Sequence, residues 1–457
     1  MVHVAVFAFP FGTHAAPLLS LVAKLAVEAP AATFSFFNTA KSNASIAPAV
    51  VSCEALRNVD LYDVWDGVPE GYAFDQGRPR EEIELFLKAA PGNLRRAMED
   101  AVAAGGGSGN AVTCVLGDAF VSSAGDLAEE LGVPWVSVWT SATFSLLAHF
   151  YTEKIRRVIG VRPEDVLAKR DERLEFIIPA LSPFRVRDLM DGIVTNVDGI
   201  FPRMLQQMAE KSRRATAVVF NTFDGLESTF LDHLRTIYHK LLTVGPFSLF
   251  LPPPSQRDPH GCLEWLDAAA AAVRPASVGY VSFGSFLSLP PPEVAALAEA
   301  LEASGARFVW SMKDAARVHL PDGFLERTKG RGLVVPWAPQ AAMLAHAATG
   351  AFVTHCGWNS VLESVAGGVP MICRPIFVDQ TMNARAVTDV WRIGVAAEGG
   401  AFGKCLSLVL DGEEGKEMRR RAVALKETAR SAVGDGGSSS KNFGALVELL
   451  SSRWKRE

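Results

Sequence analysis

The sequence predicts an α/β protein made of two doubly wound domains whose parallel sheets face each other across a cleft. Three observations predict it. Short Val- and Phe-rich apolar runs alternate with helix-period stretches, the pattern of a parallel sheet covered by helices on both faces. The alternation restarts near residue 278. Between the two series, residues 245–259 hold five prolines and little periodicity, which is the composition of a linker. At 457 residues the chain is also long for one core, given roughly 100–200 residues per domain.

In chain order, residues 2–9 are a short apolar run suited to a buried strand. The loop Pro10-Phe11-Gly12-Thr13-His14 follows, and Pro17 opens a helix over 18–28, in the first turn that proline favours. Residues 33–37, 112–116 and 135–138 read as strands, with 124–131 helical between the last two. Residues 103–110 are Gly-rich but precede a strand, so they read as a surface loop; a phosphate cradle would follow a strand and open a helix. In the second series 278–283 is a strand, 284–292 a loop, and 293–303 a helix behind three prolines. Strands follow at 307–310, 333–335, 351–354 and 369–373. A break at 434–440 precedes a final helix over 442–454. The expected boundaries are 1–245 and 263–435 around a linker at 246–262, with 436–457 a C-terminal helix. Open parallel sheets bind ligands beyond the carboxyl ends of their strands, so a cleft between two of them suits two substrates.

Composition narrows the function classes. Apolar residues make up 49% of the chain and charged ones 21%, enough to pack cores and exclude wholesale disorder. A net charge of −5 with scattered basic residues argues against nucleic acid or an anionic membrane as partner. The six cysteines, at 53, 114, 262, 356, 373 and 405, form no CxxC pair and read as reduced core thiols. Nine histidines form no HxxxH or HxxH cluster, so no built-in metal site is expected. The first apolar run lacks a basic flank and is interrupted by Pro10, Gly12 and His14, unlike a signal peptide. No window approaches the ~20 apolar residues of a membrane span, and the expected location is cytoplasmic.

The densest chemistry lies between Trp337 and Gln380. It reads Trp337-Ala338-Pro339-Gln340, then Thr354-His355-Cys356-Gly357-Trp358-Asn359-Ser360, then Glu363, and ends Asp379-Gln380. A strand ends at Thr354, Gly357 lets the backbone turn, and a helix begins near Ser360. Free amides and the positive dipole end of that helix form an anion site, with His355, Asn359 and Ser360 as side-chain donors to a diphosphate. Ser360 and Glu363 equally spell S-x-x-E, a capping box that needs no ligand. Trp337 and Gln340 precede a helix on the neighbouring strand. An indole there offers a stacking face for a nucleobase, worth ~1–3 kcal/mol, although a lone tryptophan is more often core. Asp379 beside Gln380 suits bidentate reading of sugar hydroxyls, although such a pair in a loop is more often simply solvated.

This block closely resembles the signature box of plant secondary-product UDP-glycosyltransferases. WAPQ, HCGWNS, the glutamate three residues on and the terminal DQ all stand at family spacing. Similarity extends over the whole chain and is of the flavonoid and anthocyanidin 3-O-glycosyltransferase kind, supported by VPEGY at 68–72, RVRDL at 185–189 and DPHGCL at 258–263. The resemblance implies two Rossmann-like domains in the GT-B fold. The acceptor would bind in 1–245 and the UDP-sugar in 263–435, and the helix in 436–457 would return to the first domain. It implies Trp337 stacked on uracil, Ala338 in backbone contact with the base, and Gln340 and Glu363 on the ribose. His355, Asn359, Ser360 and Ser285 would meet the diphosphate, with Gly357 in the turn between them. Trp358, Asp379 and Gln380 would hold the sugar, and a terminal Gln is the form usual for glucose donors. No cofactor or metal is implied: the UDP-sugar is a co-substrate, a flavonoid is the acceptor, and the chain is expected to act as a monomer.

His14 and Asp118 are both expected at carboxyl ends of strands in one sheet, so their side chains can meet although 104 positions separate them. A phenolic or enolic hydroxyl loses its proton as it attacks an anomeric carbon, and a neutral imidazole can take it. A carboxylate on the other ring nitrogen fixes the tautomer and stabilises the imidazolium. By residue type alone His14 is a loop histidine and Asp118 no more distinctive. The resemblance places Phe11-Gly12-Thr13-His14 and Gly117-Asp118-Ala119-Phe120 on the family's base and its orienting acid, and implies inversion to a β-linked product. It also implies Gly12, Arg80, Phe120, Thr140 and His149 on the acceptor side. Gly12 stands where relatives often carry Ser, Arg80 where some carry Gln, and 399–405 is shorter than in relatives.

Three other classes fit less well. A dinucleotide oxidoreductase carries G-x-G-x-x-G directly after a strand, and neither 9–14 nor 283–289 spells it. A glycoside hydrolase rests on two facing carboxylates. A non-catalytic UDP-sugar-binding protein would keep the second-half box and could discard His14. The expected activity is transfer of glucose to the 3-hydroxyl of a flavonol or anthocyanidin. UDP-galactose or UDP-rhamnose as donor, and other small phenols or terpenoids as acceptor, are the alternatives.

Overall fold

The computed structural model describes residues 2–52, 54–74, 80–104, 111–249, 258–272, 274–284 and 289–451. Apolar runs become strands where both faces are covered. In the first half these are β1 (His3–Phe7), β2 (Thr33–Thr39), β3 (Val59–Val64), β4 (Cys114–Asp118), β5 (Trp135–Trp139), β6 (Ala217–Phe220) and β7 (Leu241–Thr243). They form one parallel sheet in the order β3-β2-β1-β4-β5-β6-β7. The second half supplies β8 (Val278–Ser282), β9 (Arg307–Ser311), β10 (Gly332–Val335), β11 (Thr349–Thr354), β12 (Met371–Cys373) and β13 (Gly394–Ala396). These too are all parallel, in the order β10-β9-β8-β11-β12-β13. Each order reverses direction once, between β1 and β4 and between β8 and β11. Connections there leave the sheet on opposite sides and open a crevice at the strand ends, the place where doubly wound sheets bind ligands.

Every residue of β1, β4, β5 and β8 is buried, as strands covered on two faces must be. In contrast, β3 carries Asp60 and Asp63 among its apolar residues at the sheet edge, and β6, β7 and β13 are three or four residues long. Those four strands carry too little periodic signal to be read from sequence. The strand read at 112–116 begins two residues later, so Asp118 is the last residue of β4 instead of part of the following loop.

The chain divides into two compact units. Unit 1 is Met1–Arg170, Asp191–Pro254 and Ala432–Glu457, and unit 2 is Asp171–Met190 and Ser255–Ser431. In unit 1 the helix Ala15–Glu28 lays Leu18, Leu21, Val22 and Leu25 into the core, at the i, i+3, i+4, i+7 spacing of one face. The helix Ser438–Ser451 adds Phe443, Leu446 and Leu450 to the same core. Its start is tied to the end of β7: Asn442 Nδ2 donates to the Thr243 carbonyl at 3.0 Å, and Ser439 Oγ donates to the Gly245 carbonyl at 2.8 Å. Each fully buried leucine contributes about 1.5–3 kcal/mol. In unit 2 the helix Pro291–Ser304 buries Val294, Leu297 and Leu301 against Phe308, Trp310 and Val353. Among the described residues no helix is long and apolar enough to cross a membrane. The five described cysteines are free and buried, whereas Cys53 and most of the Gly-rich 103–110 stretch lie outside the described residues.

Candidate active site

The reversal point of the first sheet gathers the first half-site. After β1 the backbone turns through Gly12 at φ +63°, a left-handed conformation that favours glycine. His14 then precedes the first residue of the helix Ala15–Glu28, and its side chain does not cap that helix. Its Nδ1 instead lies 2.8 Å from Asp118 Oδ2 at the end of the neighbouring β4. Asp118 is 1% exposed and its other oxygen accepts from the Phe120 amide at 2.9 Å, so the carboxylate is held from both sides. Thr140 Oγ1 stands 3.2 Å from the same His14 nitrogen. With Nδ1 committed to a carboxylate, the proton sits there and Nε2 presents its lone pair.

Aromatic rings surround that imidazole. Phe120 lies 4.6 Å and Phe9 5.1 Å from it, centroid to centroid. Phe120 then contacts Trp139, which meets His149 edge-on at 6.5 Å. Burial pushes His149 down to about 4, so its ring is neutral in the wall. Phe120 also lines a cavity of about 300 Å³ with Phe86, Ile200 and Met204. His14, Asp118, Phe120 and Thr140 are thus brought together, with Gly12 beside the ring and His149 one aromatic contact further on. Arg80 donates to Asp191 at 2.8 Å and rests 5.2 Å from the Phe201 ring. One unforeseen residue anchors the wall. Glu227 Oε1 accepts from both the amide and the hydroxyl of Thr143, at 2.9 and 2.8 Å, fastening the helix Thr143–Phe150 that carries His149. Burial pushes Glu227 up to about 7.

The second half-site sits at the other reversal point. The helix after β11 is Trp358–Gly367, beginning two residues before Ser360, with Gly357 as its N-cap. The capping-box reading of Ser360 and Glu363 therefore fails. A capping box needs its serine at the N-cap, and glycine holds that place without a side chain to close the helix end. Ser360 and Glu363 turn to Gln340 instead: its Nε2 donates to Ser360 Oγ at 3.0 Å and to Glu363 Oε2 at 2.7 Å. Tyr280 donates to the other end of that amide at 3.3 Å. Burial raises Glu363 above the ordinary carboxylate range, with the Gln340 hydrogen bond opposing. The first-turn amides are left without a side-chain cap, which is the condition for an anion to bind there.

Trp337 is 49% exposed, which sets aside the core reading. It follows β10, which is separated from β11 by β9 and β8; the expectation of a neighbouring strand is corrected accordingly. The helix Gln340–Ala345 crosses the sheet and packs on Trp358–Gly367, and that crossing brings Gln340 to Glu363. Ala338 is buried beside Trp337, and Trp358 lies against Trp391. His355 is pushed down to about 4 by burial, and its Nδ1 has no partner among the described residues. Two glycines make room for the ring. A Cβ on Gly357 would stand 2.6 Å from Nε2, and one on Gly284 3.0 Å from Cε1. Asn359 stands in the first turn of the same helix, and Ser285 lies outside the described residues.

Asp379 and Gln380 open the helix Gln380–Arg385. Gln380 Oε1 accepts from the Ile376 and Phe377 amides, both at 2.9 Å, which leaves its Nε2 as the donor end. Sequence reasoning missed two supports of this corner. Asn383 Nδ2 reaches the Cys356 carbonyl at 2.9 Å and Asp379 Oδ2 at 3.1 Å, joining the His355 loop to the Asp379 loop. Arg374 pairs with Glu293 on the first turn of Pro291–Ser304 at 2.5 and 2.7 Å. The Asn383–Cys356 and Arg374–Glu293 contacts have no local signature, since they join residues 27 and 81 positions apart.

Known proteins match this arrangement over nearly the full chain. A family model described as "UDP-glucoronosyl and UDP-glucosyl transferase" matches residues 89–400. An anthocyanidin 3-O-glucosyltransferase of Vitis vinifera is 51% identical over 98% of this chain and 97% of its own. A flavonol 3-O-glucosyltransferase of Arabidopsis thaliana is 48% identical over the same shares. A solved structure of a UDP-glucose: anthocyanidin 3-O-glucosyltransferase in complex with UDP superposes with a TM-score of 0.89 at 41% identity, covering 98% of both chains. Two parallel sheets, both half-sites and these matches lead to one conclusion: the chain belongs to the UDP-glucoronosyl and UDP-glucosyl transferase family and is a UDP-dependent glycosyltransferase of the GT-B fold.

Proposed function

We propose that this enzyme transfers glucose from UDP-glucose to the 3-hydroxyl of a flavonol or anthocyanidin, with inversion at the anomeric carbon. The reading rests above all on the His14–Asp118 contact at 2.8 Å, set in an aromatic wall of Phe9, Phe120 and Trp139. His14 Nε2 takes the acceptor's hydroxyl proton as the oxygen bonds to the anomeric carbon. Asp118 holds the other ring nitrogen and stabilises the imidazolium. The bond from the anomeric carbon to the diphosphate oxygen breaks with its electron pair going to UDP. Amides at the start of Trp358–Gly367, with His355, Asn359 and Ser360, meet that charge. Trp337 stacks on uracil with the Ala338 backbone beside the base. Gln340 and Glu363 hold the ribose, and Trp358, Asp379 and Gln380 the sugar. Gly12, Thr140, Phe120 and His149 line the acceptor side. Because Arg80 is paired with Asp191, its contribution there is through that pair. No metal is required, and we place the enzyme in the cytoplasm as a monomer.

The test is a matrix of UDP-glucose, UDP-galactose and UDP-rhamnose against flavonols, anthocyanidins and simple phenols, with linkage read by NMR. A β-linked 3-O-glucoside as main product is the expected result. Preference for another donor, or for a non-flavonoid acceptor, overturns the specificity proposed.

A further inference from the structure

The stretch RVRDL at 185–189 takes no part in the chemistry proposed above, yet its place in the fold is distinctive. Residues Asp171–Met190 fold into unit 2 although the chain on either side belongs to unit 1. The segment doubles back on itself: the Leu174 amide donates to the Phe184 carbonyl at 2.9 Å, and the Val186 amide to the Glu172 carbonyl at 3.0 Å. Val186–Asp188 is a single 3₁₀ turn, and Asp188 Oδ2 accepts from the Arg185 amide at 2.9 Å. Asp188 is 2% exposed, so its carboxylate is both buried and aimed.

That carboxylate grips one guanidinium with both oxygens. Arg385 Nε lies 3.0 Å from Oδ2 and Nη2 3.2 Å from Oδ1, the planar fork-on-fork geometry that only arginine offers. Arg385 is the last residue of the helix Gln380–Arg385, at whose other end stand Asp379 and Gln380. The helical backbone runs on past Arg385 into a π-turn over Ala386–Val390, and Met382, Ala384, Ala386 and Val387 are buried along the stretch. On that base its tilt is fixed by two polar pins, Asn383 to the Cys356 carbonyl and Arg385 to Asp188, and Arg385 also meets Asp389 at 3.2 Å.

We propose that Asp188 is a positioning residue for the donor sugar: by holding Arg385 it sets the tilt of the short helix that presents Asp379 and Gln380. A tilt of about 10° on a lever of about 9 Å moves the far end by about 1.5 Å. That displacement exceeds the window of about 0.5 Å within which hydrogen bonds to sugar hydroxyls are made. The groups assigned to uridine and diphosphate stand on other elements, at Trp337, Gln340, His355 and Ser360. Loss of the pin therefore separates recognition of the sugar from recognition of UDP. The inference rests on the assignment of Asp379 and Gln380 to the sugar.

The test uses the full chain with Asp188→Asn, which leaves one acceptor and no charge, and Arg385→Lys, which keeps the charge and loses the fork. UDP affinity is measured by calorimetry, KM and kcat with UDP-glucose by turnover, and the kcat/KM ratio of UDP-glucose to UDP-galactose by competition. Either variant should raise KM for UDP-glucose about tenfold and narrow the donor ratio, while the Kd for UDP stays within twofold. Should Asp188→Asn fail to fold, Arg385→Lys carries the same expectation. Equal weakening of UDP and UDP-glucose means a merely structural pair and overturns the proposal, as does no change in either. A wild-type enzyme that does not use UDP-glucose defeats the functional reading itself, whereas an active wild type with unshifted variants defeats only this inference.

Discussion

Asp118→Asn replaces one oxygen by nitrogen and tests the proposed base directly. Asp118 serves two donors, the Phe120 amide at 2.9 Å and the Nδ1 side of His14 at 2.8 Å. An asparagine has only one acceptor end. If its oxygen keeps the Phe120 amide, its NH₂ faces Nδ1, the imidazole proton moves to Nε2, and the lone pair needed for catalysis is gone. If its oxygen faces His14, two N–H groups oppose each other at Phe120, which costs about 1–3 kcal/mol in a site with Asp118 1% exposed. Either way the imidazolium formed in the transition state loses its counter-charge. Two unit charges with centres about 4 Å apart interact by about 4 kcal/mol at an effective dielectric near 20, which is about three decades in rate. Turnover of UDP-glucose and a flavonol should fall about 10³-fold, with calorimetry showing an unchanged Kd for UDP. A kcat within tenfold of wild type would refute the role of Asp118 as orienting acid.

Other perturbations test separate parts of the structure. Burial pushes His149 and His355 each down to about 4, so between pH 6.5 and 4 the unfolded chain binds two protons that the fold does not, and stability is lost as pH falls. Glu227, pushed up to about 7, and Glu363, raised by burial, act in the opposite sense and offset part of that loss between pH 6.5 and 4.5. In His355→Gln the fall in Tm over that interval should shrink clearly, and an unchanged pH slope means the ring is not buried neutral. Gly357→Ala puts a Cβ 2.6 Å from His355 Nε2. UDP should bind at least tenfold more weakly to a protein that still folds, whereas an unaltered Kd shows that the ring can move aside. Excess EDTA should leave turnover intact if, as proposed, helix amides and side chains meet the leaving diphosphate; loss of activity restored by a divalent ion overturns that proposal.

Much of the local geometry around the second sheet's reversal point was legible before any fold was known, because its parts are neighbours in the chain. A strand end, a glycine and a helix start all fall within Thr354–Ser360, and the motif spacing carries the family resemblance. Apolar runs that are buried on both faces announce themselves in the same way, as β1, β4, β5 and β8 do. Which of two local readings holds was not legible. Ser360 and Glu363 spell a capping box, and only the backbone, by placing Gly357 at the N-cap, frees Glu363 for Gln340.

What the amino-acid order settled alone is the periodicity of each segment, the two series of strands and the residue types available at each turn. Tertiary structure decided who meets whom. It brought His14 to Asp118 across 104 positions, crossed Gln340–Ala345 over the sheet to reach Glu363, and sent Asp171–Met190 into unit 2 so that Asp188 meets Arg385. Periodicity is a property of neighbours along the chain and depends only on dihedral preference and one-sided burial. A contact between distant residues exists only once strand order and packing have closed the loops between them, and no local pattern encodes that closure.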